Sequence, residues 1–241
     1  MTVTINCDMG ESYGLWKMGD DAAIMPFITV ANVACGFHAS DPVHMRNTVR
    51  LAKQHGVRVG AHPSLPDLQG FGRRVMAIPR DEMAAIIMYQ VGALKAFLDA
   101  EGMPLNHIKP HGALYGMAGR DPEIAHAVCD AAEHFGVPVF GMHGTLHSTV
   151  YPERGLSMVG EFYSDLEYND QGMVIITREH HAWEPEAAAK RVVRAWKDGK
   201  VTAASGKELD VSFQSVCVHS DTPNAPAVAA AVKTALQPWL A

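Results

Sequence analysis

The chain has 241 residues, 48% of them hydrophobic and 19% charged, a balance that excludes disordered and collagen-like classes and suits a globular protein. Its formal net charge is −6 and no basic run is longer than Arg73-Arg74, so nucleic-acid binding lacks its electrostatic source. The N-terminus has no basic region followed by an apolar run, and no stretch approaches the roughly 18–20 apolar residues of a membrane span; four scattered cysteines without a CxxC pair point to free thiols in a reducing, cytoplasmic setting.

Apolar runs alternate with amphipathic segments along the whole chain. Thr2–Cys7 is the first run and Phe27–Cys35 the second. A helix follows, opened by Asp41 as N-cap with Pro42 at its first position and closed by Gly56. Arg58–Ala61 is the third run. The segment from Arg80 to Glu101 then sets Met83, Ile86, Ile87, Val91, Leu94 and Leu98 at helical spacing and stops at Gly102. A fourth run begins near Leu105 and includes His107 and Ile108. Asp121-Pro122 opens a helix closed by Gly136, and Val137–Met142 and Ser157–Phe162 are the fifth and sixth runs. Glu184-Pro185 to Gly199 reads as a helix, Phe213–Val218 as the seventh run, and the Ala-rich Asn224–Leu240 as the last helix. No linker, repeat or low-complexity tract divides residues 1–241, which read as a single domain. Seven strands alternating with helices predict a seven-stranded parallel β/α barrel; a doubly wound open sheet is an alternative that periodicity does not separate from it.

Histidine is abundant, 13 residues against 20 lysines and arginines, and the polar groups gather just past the apolar runs. Asp8 and Glu11 follow the first run, His38 and Asp41 the second, and His62 and Asp67 the third. Lys109 and His111 follow the fourth, His143 the fifth, Asp165 the sixth, and His219 and Asp221 the last. In parallel β/α folds the carboxyl ends of the strands carry the active site, so this ring is expected to converge on one cavity. Asp41 and Asp121 are explained more simply as helix caps. Asp8, His38 and His62 could hold a divalent metal with open positions for water. Lys109 and His111, two apart on an extended chain, share a face, and a cation beside a proton donor suits an anionic substrate or a developing oxyanion. Lys109→Met is accordingly expected to fold but lose turnover. Arg73 and Arg74, after Gly70-Phe71-Gly72, could anchor a carboxylate or phosphate, or form a solvated loop. The sequence has no GxxxxGK[ST] loop, no strand-linked GxGxxG and no GxSxG elbow, so neither a standard nucleotide site nor a serine-hydrolase elbow is visible.

Seven blocks in order carry a resemblance. They are Asn6-Cys7-Asp8-Met9-Gly10-Glu11, Asn32 through Ala39, Gly60-Ala61-His62-Pro63-Ser64 with Pro66-Asp67, Phe71-Gly72-Arg73, Tyr89 through Leu94, Lys109 through Tyr115, and Val216-Cys217-Val218-His219 with Asp221. Dense over residues 1–115 and returning near 161–178 and 216–223, they resemble the LamB/YcsF family, whose members are also known as the A subunit of the prokaryotic ATP-dependent 5-oxoprolinase. The resemblance implies a barrel related to the glycoside hydrolase/deacetylase fold. It implies hydrolysis of the cyclic amide 5-oxoproline to L-glutamate coupled to ATP hydrolysis, with ATP as co-substrate of a complex completed by subunits B and C. On this footing Asp8, Glu11, Lys109, His111 and Asp221 are expected to be catalytic, and Arg73, Asp165, Arg178 and His219 to bind substrate. An unstrained lactam is a poor electrophile, so activation of its oxygen on a partner subunit accords with a chain that has no phosphate loop. The chain departs from the family at Ser40, Gly116 and Ser220, where Gly, Asn and Gly are usual. It also departs at Asp165-Leu166-Glu167-Tyr168, which lacks the family's arginine, at Thr177-Arg178 and around Met142-His143-Gly144.

Two other readings compete. One is a metal-dependent deacetylase or amidohydrolase of the same fold acting on another N-acyl or lactam substrate. The other is a non-catalytic scaffold for subunits B and C, which the ring of ionisable groups argues against. Self-association into a homo-oligomer is a further expectation.

Overall fold

The alternation of strand and helix takes shape, in a computed structural model describing residues 2–175 and 181–241, as β1 (Thr4–Met9), α1 (Asp21–Ile24), β2 (Val30–Ala34), α2 (Pro42–His55), β3 (Arg58–His62), α3 (Arg80–Glu101), β4 (Leu105–Ile108), α4 (Gly112–Ala118), α5 (Pro122–Phe135), β5 (Val139–Gly141), α6 (His147–Glu153), β6 (Met158–Tyr163), α7 (Pro185–Asp198), β7 (Lys200–Thr202), β8 (Glu208–Asp210), β9 (Ser215–Val218) and α8 (Ala225–Leu236). Seven strands close into a parallel barrel in the order β1-β2-β3-β4-β5-β6-β9. Closure comes from β9, which pairs with β6 through Phe162↔Val216 and with β1 through Asn6↔Cys217. The open-sheet alternative is thereby set aside. Between β6 and β9 the chain leaves the barrel and forms the antiparallel pair β7–β8, which the sequence reading did not anticipate because each of its strands has only three residues. The short helices α1, α4 and α6 were missed for the same reason.

Local chemistry fixes the longer helices where expected. Asp41 Oδ1 accepts from the N–H groups of Val43 and His44 at 2.8 and 3.1 Å, and Asp121 Oδ1 from Glu123 N–H at 2.9 Å; both aspartates are caps. The last helix ends earlier than expected, giving way to a 3-10 turn over Gln237–Trp239. By length and composition alone α3 would suffice to cross a membrane, contrary to the sequence reading. Its Met83, Ile87, Val91, Leu94 and Leu98 are instead fully buried in the protein core, as befits a barrel helix. All four cysteines are buried free thiols.

The outer face of the strands, with Ile5, Cys7, Met9, Val33, Val59 and Ala61 fully buried, supplies the apolar layer against the helices. β1 runs two residues beyond its expected end, so Asp8 lies within the strand. The register between β3 and β4 shifts between Val59 and Ala61. There Gly60 makes room for the His107 ring: a Cβ on Gly60 would stand 2.1 Å from His107 Cε1. Ser40, where the family usually has glycine, holds φ at +73°, and Phe71 holds +53°; both are uncommon for side-chain-bearing residues and both adjoin the mouth of the barrel.

Two glycine substitutions should separate crowding from chain entropy. Gly60→Ala is expected to destabilise by about 1–3 kcal/mol through overpacking against His107. Gly92→Ala, in α3 with open space around it, is expected to stabilise by about 0.5–1 kcal/mol. Denaturant unfolding of both variants checks the pair.

Candidate active site

Residues two apart on a strand share a face, and the faces turned to the barrel axis are polar. Asn6 and Asp8 on β1, Asn32 on β2, His107 on β4, Glu161 and Tyr163 on β6, and Ser215 and Cys217 on β9 are all buried. The extended chain continues past β4, where the N–H groups of Lys109 and His111 donate to the carbonyls of Ala61 and Pro63 at 2.8 and 2.9 Å. Both side chains therefore stay on one face, as expected.

Lys109 Nζ is the hub of the interior. It donates to Asp8 Oδ1 at 3.0 Å, Asn6 Oδ1 at 3.2 Å and Cys217 Sγ at 3.3 Å, and lies 3.0 Å from Glu161 Oε1. Three N–H groups thus face four acceptors. Burial opposes the charge, but Asp8, Cys217 and Glu161 outweigh it and hold the ammonium well above the ordinary lysine range. Burial likewise opposes ionisation of Asp8, and His62 and Lys109 outweigh it, holding that carboxyl well below its ordinary range. Asn32 Nδ2 donates to Asp8 Oδ1 and to Asn6 Oδ1, each at 2.8 Å.

Above this layer sit three histidines. His62 Nδ1 lies 2.7 Å from the Lys109 carbonyl and His111 Nε2 lies 2.8 Å from the Phe71 carbonyl. A carbonyl only accepts, so both of these nitrogens carry hydrogen. The two remaining nitrogens, His62 Nε2 and His111 Nδ1, face each other at 2.9 Å, and two bare lone pairs would repel at that distance. A proton or a cation is therefore needed between them; Asp8 Oδ2 lies 3.2 Å from His62 Nε2 and Glu11 Oε1 3.5 Å from His111 Nδ1. His38 stacks on His111 with ring centres 3.8 Å apart and contacts Glu11 Oε1 at 3.1 Å. Burial, then the charges of Asp8 and Asp221, push the Glu11 carboxyl well above its ordinary range. The loop wall here must be glycine: a Cβ on Gly72 would stand 2.1 Å from Ser64 Oγ and 2.9 Å from His111 Cδ2.

A cavity of about 60 Å³ opens at this point, lined by Asp8, His62, Arg73, Lys109, His111 and His219 among others. Larger grooves of about 630 and 710 Å³ run along α7 outside the barrel, away from the groups that the strand ends deliver. Arg73 donates to Asp221 Oδ2 at 2.9 Å, linking the loop after β3 to the loop after β9. Asp165 accepts from the His219 backbone N–H and contacts His219 Nδ1, both at 2.8 Å. Burial opposes protonation of His219, but Asp165 outweighs it, holding the imidazole well above the ordinary histidine range.

Asp8, Glu11, His38, His62, Arg73, Lys109, His111, Asp165, His219 and Asp221 thus meet at one end of the barrel. Asp41 stays with its helix and His44. Asp67 binds Arg74, which turns that arginine away from the mouth. His143 is exposed and lines a separate cavity with Gly144 and Asp210. Arg178 lies outside the described residues. The trio Asp8, His38 and His62 regroups: among the described residues the donor atoms within 4.8 Å of one another are those of Glu11, His38, His62 and His111, with a second group of Asp8, Cys217 and His219. Sequence reasoning passed over Asn6, Asn32, His107, Glu161 and Tyr163. Their signal was a polar residue at every second position inside otherwise apolar strands.

With this geometry in hand, comparison with known proteins is specific. The LamB/YcsF family profile matches residues 3–239. A protein named "Lactam utilization protein lamB" from Emericella nidulans is 49% identical over 226 residues, covering 91% of this chain and 88% of its own. A protein from Thermus thermophilus, named as the A subunit of a 5-oxoprolinase, is 47% identical over 241 residues, covering 98% of this chain and 96% of its own. The crystal structure of a lactam utilization protein from another strain of Thermus thermophilus superposes with a TM-score of 0.92 at 45% identity, covering 99% of this chain and 97% of that one.

The buried hub carries two expectations. Lys109→Met leaves the Asp8 and Glu161 carboxylates facing each other without a cation. Breaking a buried pair in this way costs about 3–5 kcal/mol, against the expectation that this variant folds normally. Adding Glu161→Gln should recover part of the loss, and a double-mutant cycle in denaturant measures it. Asp8, with its carboxyl held low, contributes stability that is present above its unfolded pKa of about 3.9. That contribution is lost as pH falls through the folded value, so Asp8→Asn should flatten the acid limb of thermal stability below about pH 4.

Proposed function

Because the chain belongs to the LamB/YcsF family, we propose that it is the A subunit of an ATP-dependent 5-oxoprolinase, the part that opens the lactam ring of 5-oxoproline to give L-glutamate. The observation that carries this reading is the pair of facing nitrogens, His62 Nε2 and His111 Nδ1 at 2.9 Å, beside Asp8; we assign one proton to the space between them. Amide hydrolysis needs a base for the attacking water and an acid for the departing nitrogen. The low-lying carboxyl of Asp8 and the raised carboxyl of Glu11, within one cluster of histidines, are the divergent pair that such chemistry uses.

In the proposed sequence ATP is consumed on a partner subunit, of the kind called B and C, to phosphorylate the lactam oxygen. In this chain's cavity water adds to the activated ring carbon and passes a proton to Asp8. The ring C–N bond breaks as nitrogen takes the proton held between His62 and His111. Asp8 then returns its proton to His62 across the 3.2 Å contact between Oδ2 and Nε2, and a second water cleaves the acyl phosphate left by ring opening into the glutamate carboxylate and inorganic phosphate. Arg73 and His219, each paired with an aspartate, are the mouth's donors for the substrate's carboxylate or phosphate. A reducing, cytoplasmic setting accords with the four buried thiols. The names of the relatives support a lactam substrate over an N-acyl sugar.

A divalent metal was the other expectation for this cluster. By donor type Glu11, His38, His62 and His111 would suit a zinc-like ion, which would supply Lewis-acid polarisation of the substrate oxygen. By spacing they suit a proton. Zn–N bonds of about 2.0–2.1 Å at the tetrahedral angle place two ligand nitrogens about 3.3 Å apart, whereas His62 Nε2 and His111 Nδ1 stand 2.9 Å apart.

Glutamate release from 5-oxoproline, assayed with ATP and with subunits B and C present or omitted, tests the reading. Turnover is expected only from the full set, and His62→Asn should lower it by about 10²–10⁴-fold while chelators leave it unchanged. Absence of turnover from the complete set would reject 5-oxoproline as substrate. ATP-coupled turnover by this chain alone would reject the division of labour.

A further inference from the structure

His107 lies outside the cavity lining, is fully buried and has no part in the proton transfers above. We propose that it is a positioning residue: its Nε2–H fixes the orientation of the Asn32 side-chain amide, and Asn32 in turn holds the base Asp8. The inference rests on the proposed reaction only in taking Asp8 as the base.

The hydrogen-bond directions follow from one fixed donor. The Lys109 ammonium can only donate, so the atom of Asn6 facing it at 3.2 Å is the carbonyl oxygen, Oδ1. Asn6 Oδ1 also receives a bond at 2.8 Å from Asn32, so Asn32 presents its NH₂ there. The second N–H of that NH₂ points to Asp8 Oδ1 at 2.8 Å. Asn32 Oδ1 is then left facing His107 Nε2 at 2.7 Å, and that nitrogen must carry the hydrogen. Burial, then the charge of Lys109, holds His107 well below the ordinary histidine range, so the ring is neutral and has this one N–H. Nδ1 lies 3.1 Å from Asn106 Oδ1, so a ring with its one hydrogen on Nε2 requires the Asn106 amide to be turned with its NH₂ toward the ring.

The ring cannot drift from this task. It stacks on Phe140 with centres 4.1 Å apart and 25° between planes, and it occupies the space that Gly60 leaves open. The two ends of an amide differ little in size, so packing alone would let Asn32 flip. The His107 proton distinguishes them from the oxygen side as Asn6 Oδ1 and Asp8 do from the NH₂ side: a flipped amide would set a carbonyl oxygen against the Asp8 carboxylate and an N–H against the His107 N–H. A misdirected Asp8 still leaves the cavity walls intact. Loss of the proton donor should therefore reduce the chemical step and not substrate binding.

The test uses the complete complex and the wild-type chain. His107→Phe keeps an aromatic ring to stack on Phe140, slightly larger than imidazole, but has no donor; His107→Gln keeps an N–H donor. The expected result is a kcat reduced at least tenfold in His107→Phe with KM within about twofold of wild type, and kcat largely restored in His107→Gln. Equal loss in both variants, or a loss confined to KM, would overturn the proposal. Independently of any substrate, long-range ¹H–¹⁵N spectra of the wild-type chain report the His107 tautomer, with the signal identified by its absence in His107→Gln or, if that variant fails to fold, in His107→Asn. A neutral Nε2–H ring is expected. An Nδ1–H ring or an imidazolium would overturn the proposal even if 5-oxoproline proves to be the substrate, and an Nε2–H ring would support it even if 5-oxoproline does not.

Discussion

A lysine ammonium inside a closed barrel sets the terms for the rest of this molecule. Taking such a charge out of water costs several kcal/mol unless it is matched by opposite charge and by acceptors for its three N–H groups. Seven strands make an interior narrow enough for one side chain to reach opposite walls, and Lys109 touches Asp8 and Asn6 on β1, Glu161 on β6 and Cys217 on β9. Each acceptor then needs its own partners. Asn6 turns its NH₂ to Ser215 Oγ at 2.7 Å, and Asp8 draws in Asn32 and His62. The polar column is the consequence of one buried cation satisfied outward, shell by shell.

Asp8 joins that column to the chemistry at the mouth. One of its oxygens faces Lys109 and Asn32 while the other faces His62. The histidines are aimed from the other side by backbone carbonyls, which cannot exchange roles with donors. Two fixed outer bonds leave two inner nitrogens turned toward each other. Side chains from the ends of the neighbouring strands β3 and β4 are thus held against each other by a geometry that the backbone itself imposes, which is the rigidity that positional catalysis requires.

Much of this was legible from the chain. The seven apolar runs mark the seven barrel strands, and the Asp-Pro openings and Gly stops mark α2 and α5 closely. His38, His62, Lys109, His111 and His219 were found because they follow apolar runs. The interior residues were harder: Asn6, Asn32, His107 and Glu161 sit within the runs, where a polar residue reads as an interruption and not as a site. The alternation Asn6-x-Asp8, His107-x-Lys109 and Glu161-x-Tyr163 was the available clue. The count of seven strands pointed to the closed barrel, but periodicity did not separate it from an open sheet, because closure depends on β9 pairing with β6 across an excursion of about fifty residues. The exchange of Asp8 for Glu11 beside His38 could not be read, since Glu11 reaches that cluster through the path of a loop.

The hydrogen-bonded column in the barrel interior also bears on how such a sequence can diverge. Each amide end and each ring nitrogen there is assigned by its neighbour, so a single exchange orphans at least one partner and is disfavoured. Neutral drift along one residue at a time is closed to Asn6, Asn32, His107 and Lys109; they can change only as a set. The loops that follow the strands are less constrained, as Ser40 illustrates by holding a φ of +73° with a side chain. Lineages that share this interior should therefore keep it whole while their rims wander, and a relative that has replaced one member of the column is expected to have replaced its partners as well.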